Sequence, residues 1–206
     1  FFFPDQPQHL HRLADYWIKH HYPELAADPK PYVALRNTVV DRTAKLMAQW
    51  QSVGFAHGVM NTDNMSILGL TLDYGPFGFM EAYEPGLICN HSDPHGRYAF
   101  DQQPQIGLWN LTCLAQALTP LIDIDDAKAC LQPYQTIYTQ HYHSLMVSKL
   151  GFDKASDTTL ELTGTLLEMM QQNRVDYTRL FRKLGDIQRE NEQQNFSLRD
   201  SFIDRQ

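Results

Sequence analysis

The residues best suited to chemistry sit in one short stretch of the 206-residue chain. They are Asp63 and Asn64, at the end of His57-Gly58-Val59-Met60-Asn61-Thr62-Asp63-Asn64, and Asp73, at the head of Asp73-Tyr74-Gly75. An Asn carbonyl and an Asp carboxylate on adjoining loops are hard oxygen donors. They suit Mg²⁺ or Mn²⁺ better than a soft metal, and such an ion offsets the charge of a nucleotide triphosphate. On this reading Asn64 and Asp73 are the metal ligands, and Asp63 supplies a further carboxylate.

The spacing has a parallel in the protein-kinase loop H-R-D-x-x-x-x-N followed by D-F-G. His57 and Asn64 stand as far apart as the kinase His and Asn, and Asp73-Tyr74-Gly75 stands where D-F-G would be. The intervening Met65–Leu72 run (MSILGLTL) can supply a short hairpin. In this register the kinase catalytic Asp falls on Val59, which cannot accept a proton. Two alternatives follow: a kinase fold without turnover, or chemistry that uses Asp63 in another geometry. Asn, Asp and Gly are also ordinary turn formers, so the same residues read equally as turns.

The elements that must position this stretch are mostly helices. Residues 9–22 and 31–54 carry apolar residues at helical spacing, the second with a stripe of Val33, Val40, Ala44, Met47 and Trp50 and a stop at Gly54. Residues 55–90 read as short strands and loops, and 91–106 as a long loop. Helices return from Gly107, stop near Pro120, and continue through 125–152, 158–175 and 176–190. Pro133 marks either a helix start or a kink. Asp123-Ile124-Asp125-Asp126 reads as a helix N-terminal signal. The 191–206 tail is polar and peripheral. The expected fold is mainly α with a short β hairpin, in a single domain over 1–206.

Composition bounds the partners. A net charge of -7 argues against a nucleic-acid or anionic-membrane surface. No run is apolar and long enough for a membrane helix. The opening Phe1–Phe3 lacks a methionine and a signal-peptide pattern, and reads as a cut from something longer that would bury those rings. Cys89, Cys113 and Cys130 suit neither a disulfide scaffold nor a zinc site, so a reducing compartment such as the cytoplasm is expected.

Residues 55–111, containing HGVMNTDNMSILG and LDYGPFGF, closely resemble the signature region of the selenoprotein O, or YdiU, family. The upstream PYVALRNTVVDRTAKLMAQWQSVGF and the later VDYTRLFRKL are also similar, so the resemblance covers most of the chain. It implies a protein-kinase-like C-lobe without the usual catalytic Asp, here the C-terminal part of the family protein. The implied activity is metal-dependent transfer of AMP from ATP, and of UMP from UTP, to Ser, Thr or Tyr hydroxyls of proteins. Carried over by motif, Asp63 is the proton acceptor, Asn64 and Asp73 hold Mg²⁺ or Mn²⁺, and Asp73 lies near the nucleotide phosphates. Members are about twice this length, and the lobe bearing the nucleotide-contacting Lys is absent here, so the isolated chain is expected to be inactive. In the family, a cysteine in the LICNHSDP stretch can pair with a Cys or selenocysteine near the C-terminus. This chain offers no such partner, so Cys89 is expected to be a free thiol. A non-catalytic pseudokinase scaffold and a small-molecule phosphotransferase remain the alternative functions.

Other candidates read more plainly. His91-Ser92-Asp93-Pro94-His95 is a polar loop sooner than a metal site. The pairs His9/His11, His20/His21 and His141/His143 read as surface residues. Trp17, Trp50 and Trp109 read as core.

Overall fold

The computed structural model describes residues 7–187 and 198–202. Phe1–Phe3 and most of the 191–206 tail lie outside the described residues, as do the expectations that rest on them. The fold is mainly helical with one two-stranded antiparallel sheet. In order come α1 (Pro7–His21), α2 (Pro31–Val53), β1 (Phe55–Ala56), β2 (Gly78–Phe79), α3 (Gln103–Ala117), α4 (Ile124–Ala129), α5 (Tyr134–Lys149), α6 (Asp157–Gln172) and α7 (Tyr177–Gly185). No described helix is long and apolar enough to cross a membrane.

Contacts divide the chain into two compact units. The first holds residues 7–47, Met60–Asp73 and Pro104–Tyr138. Its core takes Leu35, Val39, Val40, Ala44 and Met47 from α2, and Ile106, Leu111 and Ala115 from α3. Leu118, Ile122 and Ala127 form a second cluster, against which Leu10, Trp17 and Val33 pack. Fully burying one such aliphatic side chain is worth about 1.5–3 kcal/mol, so each cluster outweighs the weak helix preference of β-branched residues such as Val39 and Val40. Asp123 caps α4 by accepting from the Asp125 N–H at 2.8 Å, as its sequence signal predicts. Pro133 stands immediately before α5 and marks a helix start, not a kink.

The second unit holds Ala48–Val59, Tyr74–Gln103 and the chain from Thr139 onward. Ala56, Met80, Phe100, Met170, Val175, Tyr177 and Leu180 make its core. α2 ends at Gly54, whose φ of +68° supplies the left-handed stop that a Cβ would strain. β1 then pairs with β2, Phe55 opposite Phe79 and Ala56 opposite Gly78. Residues 81–83 pair with the strand-like approach to α7: Tyr83 N–H donates to Val175 O at 2.9 Å and Tyr177 N–H to Glu81 O at 2.6 Å.

Three expectations are corrected. The Met65–Leu72 run forms no hairpin; the strands lie outside it, at 55–56 and 78–79. The loop expected over 91–106 ends early because α3 begins at Gln103, with Pro104 accommodated in its first turn, where a missing N–H costs nothing. Trp109 is 43% exposed and not core, because it lies on the outward face of α3 while Asn110 and Leu111 turn inward.

Tyr134 in the first unit and Tyr177 in the second are each about 1% exposed, and burial pushes both phenols well above the ordinary tyrosine value. A folded-state value above the unfolded one means the folded protein keeps protons that the unfolded chain loses. Stability from both is therefore full below pH 10 and falls as pH rises above it. Urea denaturation across that range should show this fall. Tyr134→Phe and Tyr177→Phe should each flatten it, and an unchanged slope in both variants would contradict the assignment.

Candidate functional site

The loop leaving β1 is non-helical and largely buried, so its backbone polar groups need partners from elsewhere. Gln103, fully buried, supplies two: its Oε1 accepts from the His57 N–H at 2.8 Å and its Nε2 donates to Phe55 O at 2.9 Å. Asn90 Nδ2 donates to Gly58 O at 3.0 Å, and Cys89 Sγ lies 3.6 Å from Ala56 O. In the first unit, Asn110 Nδ2 donates to Met60 O at 2.9 Å. Amide side chains thus take the place of a neighbouring strand. Sequence reasoning missed Gln103, Asn90 and Asn110. The available signal was an amide inside the apolar run of α3, where burial demands a specific partner.

His57 is fully buried, 5.2 Å from the Trp50 ring and edge-on to Phe55 at 6.3 Å. Its Nδ1 accepts from the Val59 N–H at 3.4 Å. It organises the turn from inside the core. Gly58 follows with φ +81°, and a Cβ there would stand 2.7 Å from Cys89 Sγ and 3.0 Å from Pro76 Cγ. Val59 is half-buried.

Asp63 and Asn64 sit on a single 3₁₀ turn, Thr62–Asn64, closed by the Asn64 N–H donating to Asn61 O at 3.0 Å. The turn exposes Asp63 and buries Asn64. The chain then lies against the first two helices: Tyr22 donates its hydroxyl to Ile67 O at 2.6 Å and Arg42 reaches Leu68 O at 3.4 Å. Gly69 (φ +67°) passes so close that a Cβ would meet Arg42 Cβ at 2.8 Å. At the far end of this stretch Asp73 is exposed and has φ +58°. Asp tolerates the left-handed region better than most residues, yet the conformation still costs on the order of 1 kcal/mol. The structure therefore places Asp63, Asn64 and Asp73 in one unit, on the same loop-rich stretch.

Among the described residues, neither Asp63 nor Asp73 enters an ion pair. Asp63 and Asp73 present exposed carboxylates and Asn64 a buried amide, oxygen donors of the kind a hard divalent cation takes. Tyr74 and Phe77, both exposed, pack on Phe55 at 6.2 and 6.0 Å in the second unit. Asp93 is buried and accepts from the Arg97 and Tyr98 N–H groups at 3.0 and 2.7 Å, so it ties its own loop. His91 and His95 are exposed on the same loop. Cys89 is a partly buried free thiol, and burial pushes it above the ordinary thiol value.

Comparison with known proteins gives this loop its setting. The family described as "Protein adenylyltransferase SelO" matches residues 1–205. A "Protein nucleotidyltransferase YdiU" of Myxococcus xanthus is 54% identical across 98% of the chain and 41% of that protein. Proteins of the same name from Thioalkalivibrio sulfidiphilus (57% identical; 87% of the chain, 38% of that protein) and Vibrio vulnificus (52%; 100% and 41%) match likewise. The chain belongs to the SelO family. It spans about two fifths of the length of these relatives.

Two stability predictions follow from the loop. Gln103→Leu removes the bonds to the His57 N–H and Phe55 C=O and should destabilise by about 2–5 kcal/mol; a denaturant midpoint equal to wild type would refute the strand-substitute role. Gly58→Ala should cost about 1–3 kcal/mol through its positive φ and the Cys89 overlap. Adding Cys89→Ala should return only the overlap part, as read by the same melts.

Proposed function

We propose that the chain forms the metal- and base-bearing part of a protein adenylyltransferase with a kinase-like C-lobe. It transfers AMP from ATP, or UMP from UTP, to Ser, Thr or Tyr hydroxyls of protein substrates. The observation that carries the reading is the exposed carboxylate of Asp63, in no ion pair among the described residues, on the turn that buries Asn64, with Val59 at the position where a kinase needs its Asp. Membership of a family described as an adenylyltransferase supports the choice of transferred group.

Asn64 and Asp73 would hold Mg²⁺ or Mn²⁺, which when bound offsets charge on the nucleotide phosphates. The chain's own residues do the rest. Asp63 accepts the proton of the protein hydroxyl as its oxygen bonds to the α-phosphorus. The bond from that phosphorus to the bridging oxygen breaks, and pyrophosphate leaves with the electron pair. The turn bond at Asn64 and the left-handed backbone at Asp73 set where the two residues leave the main chain, which limits the backbone reorganisation left for the reaction. Valine at 59 removes the kinase route, because no side chain there can orient a hydroxyl toward a γ-phosphate.

Radiolabel transfer by the full-length protein tests this. With Mn²⁺ or Mg²⁺, protein should be labelled from α-labelled ATP or UTP and not from γ-labelled ATP. Asp63→Ala should lower the rate about 10²–10⁴-fold with nucleotide binding retained. Asp73→Ala should abolish metal-dependent nucleotide binding by calorimetry. Label from the γ-phosphate would mean a phosphotransferase, and no label from any donor would mean a scaffold.

A further inference from the structure

A pocket of about 600 Å³ opens in the second unit, lined by Val53, Phe79, Lys149, Tyr177, Phe181 and Arg182. Phe79 is 60% exposed, so an aromatic face stands open to solvent. Lys149 is the last residue of α5. Its Nζ donates to Ser52 O at 2.5 Å and lies 4.6 Å from the Tyr177 ring centroid and 4.0 Å from that of Phe181. These contacts fix the nitrogen at the pocket wall. Among the described residues no carboxylate pairs with it.

Burial without a counter-charge pushes Lys149 down to about 8. The free amine is then more populated near neutral pH than on an ordinary lysine. A positioned, partly deprotonated amine in an apolar pocket is the arrangement that makes lysine a nucleophile toward carbonyl carbon. Arg182 adds a permanent cation to the lining, which favours a ligand bearing an anion.

We propose that this pocket is a covalent site for an aldehyde that joins a flat aromatic body to an anionic group. Lys149 Nζ attacks the carbonyl carbon and its lone pair forms the C–N bond. The carbonyl oxygen departs as water with both amine protons, leaving an imine. The aromatic body stacks on Phe79 and Phe181 and the anion faces Arg182. None of these residues belongs to the transfer site, so the two proposals stand or fall separately.

Pyridoxal 5′-phosphate is a suitable probe. The full-length protein at about pH 7.4 is exposed to a sub-stoichiometric amount, reduced with borohydride and mapped by mass spectrometry. The adduct on Lys149 should exceed that on any other lysine by at least about tenfold. Lys149→Arg should remove it. Arg182→Gln should lower apparent affinity for this probe about fivefold while leaving labelling by benzaldehyde unchanged. Adducts spread evenly over exposed lysines such as Lys45 and Lys154 would overturn the site, and the wild-type map alone decides this if a variant fails to fold. Equal loss of both probes in Arg182→Gln would overturn the anion assignment.

Discussion

The side-chain amide of Gln103 stands where a third β-strand would otherwise be needed. Its two hydrogen bonds, from the His57 N–H and to Phe55 O, satisfy backbone groups that the two-residue strand β1 cannot pair on its other edge. The same solution recurs along the loop, where Gly58 O and Met60 O each accept from an asparagine amide. A buried backbone group without a partner costs about 1–3 kcal/mol, so a non-helical loop can enter a helical protein only where such side chains meet it. These amides satisfy the backbone groups of Phe55, His57, Gly58 and Met60.

Around that loop the two kinds of acidic residue behave differently. Asp93, Asp123 and Asp176 are spent on backbone N–H groups of their own turns and helix starts. Asp63 and Asp73 are exposed and in no ion pair among the described residues. The backbone bends to place one of them, at φ +58° on Asp73, and backbone outliers of this kind gather where geometry serves function more than stability. The reading of these two as a base and a ligand is the proposal that best uses the contrast.

The carbonyl of Ser52, in the last turn of α2, organises the second unit in a comparable way. It accepts from the Tyr177 hydroxyl at 3.0 Å and from Lys149 Nζ at 2.5 Å. A helix C-terminus leaves carbonyls unpaired and carries partial negative charge, which draws a cation to it. The ammonium is thereby placed against two aromatic rings, where dehydration lowers its proton affinity.

Much of the helical frame was legible from residue spacing: α1, α2, α5, α6 and α7 fall close to their apolar periodicities, and Asp123 and Gly54 act as the cap and stop that their types suggest. Family membership was legible too, because HGVMNTDNMSILG and LDYGPFGF are long and distinctive. Asp63, Asn64 and Asp73 were singled out by kinase-like spacing, and the role proposed for Asp63 by the family resemblance. The tertiary structure decided what spacing does not encode. It moved the strands outside Met65–Leu72, because that run finds hydrogen bonds from Tyr22 and Arg42 in place of a partner strand. It turned Trp109 outward and Asn110 inward on the same helix. It recruited Gln103, remote in sequence, to complete β1, and gave Lys149 its environment through two rings of α7 and a carbonyl of α2. Periodicity reports which face of an element is apolar. Which distant side chain satisfies a buried polar group is settled only when the segments meet.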